Sequence, residues 1–429
     1  MRSKLICAAL LSGCLTGRLG AETNPAAATP LTLAAAQRLA IARNWDLLAA
    51  QSEVEAAAAQ AIVAHEFPNP SLGLSVGKIS EDGKHPNQGS FFGPRDYDSI
   101  AAINQLFEIC GKRKSRQVSA QTGWEGARAR LLDAKRTLDQ AVATAYAAAA
   151  QAQANVSVLK ESAASLRREA DIAAARLQAG DISTADKSRI EISAQQLELD
   201  AQSAEAAAKT ARISLELLMG VPKAAGDVTL ADPLEELARR PVADTEVSPT
   251  AGRADLVAAT RALEKAEADL RLQKAERIPD PTVALQYEHQ PATQPNTIGL
   301  GVNFPLPLWN RNRGEIKTAE AARDQARTQV EKLKAQIAAD IATARLSHDI
   351  ALKRWQTYRD QLRPKSAQIR QTVAFAYERG GASLLDLLSA ERDDNAIRLA
   401  ALQAANDTVT AAAALEAATE TITSKNDSP

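Results

Sequence analysis

Two runs of the chain place the same three residue types at the same spacing: "GDISTAD" at 180–186 and "GGASLLD" at 380–386. In each, a glycine is followed three positions on by a serine and three further on by an aspartate. These are Gly180, Ser183 and Asp186, then Gly380, Ser383 and Asp386. The chemistry on offer is hydrogen bonding at helix ends. A glycine can take the left-handed conformation that stops a helix. The serine can then cap the next helix, with the aspartate as the acid of a capping box. Each run reads as helix stop, turn, helix start, and folds two helices into an antiparallel hairpin.

Other reactive residues do not assemble. His65, His85, His289 and His348 are scattered without ligand spacing, and "HEFP" at His65 lacks the second histidine of a zinc-protease helix. "GLSVGKI" (73–79) is one residue short of a phosphate loop and has no Ser or Thr after Lys78. The chain has two methionines, too few for a thioether path for soft ions. The residues therefore indicate no catalysis, metal site or cofactor. A net charge of -1 carries no nucleic-acid footprint.

The elements that position the two turns are long helices. From Ser115 to about Ala179 there is no proline, and the only interruptions are Gly123 and Gly126. Such a helix would be on the order of 90–100 Å long. A second runs from Gly314 to Arg379, with a kink expected at Pro364. Aromatic residues make up only 3 % of the chain, and alanine-rich runs such as 141–154 suit helices packed at close range.

The echo extends further. "FPNPSLGLSVG" (67–77) is matched by "IPDPTVALQYE" (278–288), and "INQLFEICGKRK" (103–114), more loosely, by "VNFPLPLWNRNR" (302–313). Each half runs helix, Pro-x-Pro, apolar segment, polar loop, apolar segment, basic turn and long helical hairpin. We expect a duplicated unit, 22–222 and 251–429, joined by a proline- and glycine-containing linker at 223–250.

The short apolar segments alternate with period two: Leu72, Leu74, Val76; Val283, Leu285, Tyr287; Ile298, Leu300, Val302, Phe304. They read as strands with one apolar face, about 8–10 residues long, which suits a tilted membrane crossing. A small soluble sheet packed on the helices is the alternative. Phe107, Trp309, Arg311 and Arg313 fall where such strands would leave the membrane, as aromatic and basic anchors do. Four strands cannot close a barrel, and open edges in lipid leave backbone groups unpaired. Three copies would make twelve strands.

The first residues read as an export signal (1–21), cleaved after Ala21. "LSGC" offers a competing reading, a lipoprotein signal (1–13) with acylation of Cys14. Cys110 is the one cysteine outside this leader, so no internal disulfide is expected in the mature chain.

With the duplicated strand-pair and hairpin unit, "PNP" and "PDP", "FPLPLWNRNRGEI" and the two G-x-x-S-x-x-D turns, the mature chain resembles the TolC family of outer-membrane efflux channels. "FPLPLWNRNRGEI" resembles its cation-efflux, CzcC-like branch. The resemblance implies a mainly α fold with membrane β. Three copies would form a 12-helix α-barrel in the periplasm and a 12-stranded β-barrel in the outer membrane of a Gram-negative bacterium. It implies three kinds of partner: copies of the chain, a periplasmic adaptor, and an inner-membrane resistance-nodulation-division pump. Gly180 and Gly380, with Ser183 and Ser383, carry over to the periplasmic tips where the adaptor docks. Asp386 matches an acid of the narrow entrance, with Asp186 beside the other turn. A second family acid is Ser389 here, and a family arginine is Ala382, so that charge ring is incomplete. Drug efflux or protein secretion on the same architecture, and a poreless periplasmic scaffold, are the alternatives.

Overall fold

A computed structural model describes residues 30–77, 98–242, 252–290 and 294–421. The leader with Cys14, most of the first polar loop and residues 243–251 lie outside these ranges.

Two capped helices open the chain. In α1 (Leu33–Arg43) the Thr32 side chain accepts from the Ala35 N–H, and in α2 (Trp45–His65) Asn44 accepts from the Leu47 N–H. The strands β1 (Ser71–Gly77) and β2 (Asp98–Leu106) lead into α3 (Lys112–Ala179) and α4 (Thr184–Leu218). After the short α5 (Leu234–Ala238), the same order begins again. It runs α6 (Ala254–Ala275), β3 (Thr282–Gln290), β4 (Gln294–Asn303), α7 (Arg313–Thr357), α8 (Arg363–Glu378) and α9 (Leu384–Thr419).

The expected 115–179 helix exists and is longer at its start, with 68 residues. At about 1.5 Å per residue it reaches roughly 100 Å. Gly123 and Gly126 do not interrupt it. At Gly126 an added Cβ would meet the Arg261 Cβ of α6 at 3.4 Å, an ordinary contact distance. Among the described residues, no helix is long and apolar enough to cross a membrane.

At Pro364, where a kink is expected, a π-helical turn (Tyr358–Leu362) precedes the proline, and the Arg363 N–H bonds to the Tyr358 carbonyl five residues back. A proline has no N–H to give and its ring crowds the carbonyl four residues earlier. Widening the turn by one residue relieves that crowding without ending the helix.

Packing is built on small side chains. Ala36, Ala40, Ala147, Ala194 and Ala404 have no exposed surface. Around mid-chain, Val142, Tyr146, Leu215 and Met219 pack with Leu31 and Leu33. The Tyr146 hydroxyl donates to the Leu31 carbonyl at 2.7 Å and accepts from the Asp232 N–H at 3.1 Å. The described part of the 223–250 segment is docked on this core. Leu31 and Leu230 form a parallel bridge, Leu234 and Ala238 are buried, and the Glu216 carboxylate accepts from the N–H groups of Ala225, Gly226 and Val228.

All four strands form one antiparallel sheet in the order β1-β2-β3-β4, so the two halves of the chain join through β2 and β3.

Candidate functional site

The sheet sorts its side chains by face. Leu72 pairs with Ile103, Ile103 with Leu285, and Leu285 with Leu300. Directly paired residues project from the same face. Leu74, Val76, Tyr287, Ile298 and Val302 therefore share it. This face is bare: Leu74 is 72 % and Leu300 76 % exposed. The other face is more polar: it carries Ser71, Gly73, Ser75, Asn104, Gln286, Glu288, Thr297 and Gly299, together with Ile100, Ala102, Leu106 and Ala284. Among the described residues no helix packs on the apolar side. A soluble sheet would turn that side inward, so the alternative of a small soluble sheet fails on this geometry.

Both outer edges are open. Among the described residues β1 pairs only with β2, and β4 only with β3. The alternating N–H and C=O groups along these two margins need partners in a medium without water.

At the opposite end lie the hairpin turns. Gly180 and Gly380 take left-handed conformations, φ 83° and 77°. The N–H of Asp181 closes on the Arg176 carbonyl, and that of Gly381 on the Ala376 carbonyl, the Schellman pattern in both cases. Ser183 and Ser383 cap α4 and α9, each accepting from the N–H of the aspartate three positions on. At α9 the box is complete, because Asp386 also accepts from the Ser383 N–H at 3.0 Å. The Ser383 hydroxyl and N–H hold the Asp386 carboxyl below the usual carboxylate range.

The structure brings the two turns together. The Arg176 guanidinium donates to the Glu378 carbonyl at 2.9 Å and lies 5.3 Å from the Tyr377 ring centre. Ile182 and Leu384 pack against Ala170, Ala173 and Ile190. Above the tip, Arg370 reaches Glu391 at 3.4 Å and Asp394 at 3.3 Å, and Ser366 donates to Asp394 at 2.7 Å. Burial pushes the Glu391 carboxyl up against the pull of Arg370. Neither Arg176 nor this cluster figures in the sequence reading. One signal was present: in a hairpin folded at Gly380, a residue ten positions before the turn faces those some eleven to fourteen after it.

At the junction of strands and helices, the Phe107 N–H donates to the Pro281 carbonyl and its ring is half exposed. Trp309, Arg311 and Arg313 line a common cavity of about 330 Å³ before α7. Phe107 is not part of it. Among the described residues no cluster of His, Cys, Asp or Glu could hold a metal ion.

A four-stranded sheet bare on one face, standing on helical hairpins whose longer arms reach about 100 Å, defines the class: a membrane channel subunit. The chain matches the outer membrane efflux protein family over residues 36–221 and 250–420, and it belongs to that family. It is 28 % identical to the cobalt-zinc-cadmium resistance protein CzcC of Cupriavidus metallidurans, over 90 % of this chain and 89 % of that protein. It is 26 % identical to the nickel-cobalt-cadmium resistance protein NccC of Alcaligenes xylosoxydans xylosoxydans, over 75 % of this chain and 71 % of that protein. The fold resembles that of the outer membrane protein VceC of Vibrio cholerae, with a TM-score of 0.72 and 21 % identity over 90 % of this chain and 95 % of that one.

Proposed function

We propose that this chain is the outer-membrane duct of a tripartite resistance-nodulation-division efflux system, a passive exit for heavy-metal cations. The carrying observation is the sheet, apolar on one face and more polar on the other, with both margins unpaired. A second copy supplies the missing margin, and three copies close a 12-stranded barrel with Leu72, Leu285 and Leu300 toward lipid and Gln286 and Glu288 toward the lumen. The hairpins then form the periplasmic extension.

The tips built on Gly180, Ser183, Gly380 and Ser383 are the docking surface for a periplasmic adaptor. Both turns are open: an added Cβ at Gly180 or Gly380 meets nothing within 4 Å. Asp386, ionised and exposed, narrows and charges the entrance three times around the axis, favouring cations, and Asp186 lies beside the other turn. Phe107, Trp309, Arg311 and Arg313 set the depth of the barrel in the membrane. Acylation of Cys14 in place of cleavage after Ala21 would add a lipid anchor, which the mass of the mature N-terminus decides.

The names of two relatives point to cobalt, zinc, cadmium and nickel as cargo. A strain lacking the protein, challenged with Co, Zn, Cd, Ni, Cu and a panel of drugs, tests this. We expect sensitivity to the divalent metals. Sensitivity to drugs alone makes it a drug duct, and outer-membrane absence with no bilayer conductance refutes the channel reading.

A further inference from the structure

The outward apolar row of β4 does not stop with the strand. Ile298, Leu300 and Val302 are followed at the same spacing by Phe304, Leu306 and Leu308, beyond the last strand residue Asn303. All six are exposed, Leu306 at 72 %. Ten residues of extended chain span roughly 33 Å. The apolar band of an outer-membrane barrel is about 25 Å tall. With barrel strands tilted by about 40°, that length covers roughly 25 Å along the membrane normal, so the row spans the band and ends at the headgroup boundary on the helical side. There the Leu308 N–H bonds back to the Leu306 carbonyl at 2.8 Å, turning the chain.

Immediately after the turn comes the cavity of about 330 Å³, lined by Leu308, Trp309, Asn310, Arg311, Arg313 and Gly314. Trp309 is 93 % exposed. Two other cations at this junction are engaged: Lys112 pairs with Asp280 at 2.8 Å, and Arg116 pairs with Glu108. Arg311 and Arg313 form no ion pair among the described residues. The one acid nearby on the first turn of α7 is Glu315, which does not line the cavity.

We infer that this cavity binds the headgroup of an anionic phospholipid from the leaflet facing the helices, whose acyl chains lie along the Leu306–Val302 row. The inference rests on the outer-membrane reading. A buried protein partner is disfavoured by geometry. A second copy meets β4 through its edge, by backbone pairing, whereas the row lies on the outward face and the two arginines line the cavity that follows it. An apolar stripe ending in two unpaired guanidinium groups matches a molecule with apolar tails and a phosphate anion.

Each arginine near an anionic headgroup favours it by about fivefold, so the pair gives an enrichment of about 30-fold over zwitterionic lipid. The test uses the purified, full-length oligomer in vesicles of zwitterionic phosphatidylcholine. In one series a tenth of the lipid is chain-brominated phosphatidylglycerol, in the other chain-brominated phosphatidylcholine. Bromine quenches tryptophan emission, and Trp309→Phe isolates this residue's share from that of Trp45, Trp124 and Trp355. We expect Trp309 to be quenched preferentially by the brominated anionic lipid. The preference falls to about fivefold in Arg311→Gln or Arg313→Gln, and is lost in the double variant. Equal quenching by both lipids overturns the site. No quenching of Trp309 by either lipid also overturns it, because a neighbouring copy then covers the segment. Planar-bilayer conductance on the same preparations separates failure of this site from failure of the channel reading: a conducting protein without lipid preference sinks only the site.

Discussion

Arg176, four residues before the first hairpin turn, donates a hydrogen bond to the backbone carbonyl of Glu378, two residues before the second. The two hairpins of one chain are thereby tied tip to tip across 202 positions of sequence. Because the acceptor is a backbone carbonyl, no substitution at position 378 except one that shifts the helix end would remove it. The arginine is the side on which the tie can be cut.

Arg176→Ala should remove a bond worth about 1 kcal/mol, a factor of about five between tied and untied tips. Backbone amides at 376–384 should exchange with solvent about fivefold faster in hydrogen-exchange mass spectrometry, while amides around Tyr146 keep their rates. Unchanged exchange at the tip would show that packing of Ile182 and Leu384 holds it alone.

Asp386→Asn should lower the cation-over-anion permeability ratio in planar bilayers while leaving assembly intact, since an amide oxygen can still accept from the Ser383 N–H and hydroxyl. In the wild type the folded-state pKa is depressed by the Ser383 hydroxyl and N–H. Its ionised form, and the cap it supplies, therefore persist above the unfolded carboxylate pKa and are lost only as pH falls below that range. Selectivity should be flat from pH 7.5 to 5. A permeability ratio that is the same in wild type and variant would remove Asp386 from the entrance.

Asp139 should behave in the opposite sense. Burial, ahead of repulsion from Glu420, pushes its carboxyl up to about 6, and its Oδ1 has no hydrogen-bond partner among the described residues. A raised acid pKa means that the folded state holds its proton longer than the unfolded chain. Stability therefore falls as pH rises from about 4 to 6 and stays reduced above it. With the side chain half-buried, the effect is about 1 kcal/mol. Asp139→Asn should raise the melting temperature at pH 7.5 and by only about half as much at pH 5. An equal gain at both pH values would show that charge is not the cause.

Tyr146→Phe should leave the Asp232 N–H without its partner beside a fully buried ring, while the Leu31 carbonyl keeps only its bond from the Ala231 N–H. The cost is about 1–3 kcal/mol. Limited proteolysis near residues 30–33 should accelerate and the melting temperature fall, with conductance of the surviving oligomer preserved.

Glycines of like backbone conformation should differ sharply. Gly180→Ala and Gly380→Ala meet open space and incur only left-handed strain of about 1–2 kcal/mol, so assembly should survive and any defect should appear in adaptor pull-down. At Gly220, φ 72°, a Cβ would stand 2.2 Å from the Arg43 carbonyl oxygen. Gly220→Ala should give no folded oligomer on a native gel. If it assembles normally, the junction between α1 and the end of α4 is softer than the packing indicates.

Much of the molecule was legible in the chain because the forces concerned are local. Alternation at Leu72–Val76 and Ile298–Val302 reports a pleat of period two. The G-x-x-S-x-x-D runs report a helix stop and a cap, interactions that close within six residues. Proline's missing N–H announced a disturbance at Pro364, but whether the helix would bend or widen depended on how α8 sat against α9 and α5. Arg363, for one, reaches Glu235 of α5 at 2.5 Å. The tie from Arg176 to Glu378, the Tyr146 bridge between Leu31 and Asp232, and the Arg370–Glu391–Asp394 cluster were decided only by the tertiary structure. Each joins residues whose separation along the chain has no period, and their meeting depends on the axial register in which long, alanine-faced helices slide together. Smooth faces of that kind permit several registers with little difference in buried area, so it is the assembled core, not local propensity, that selects one.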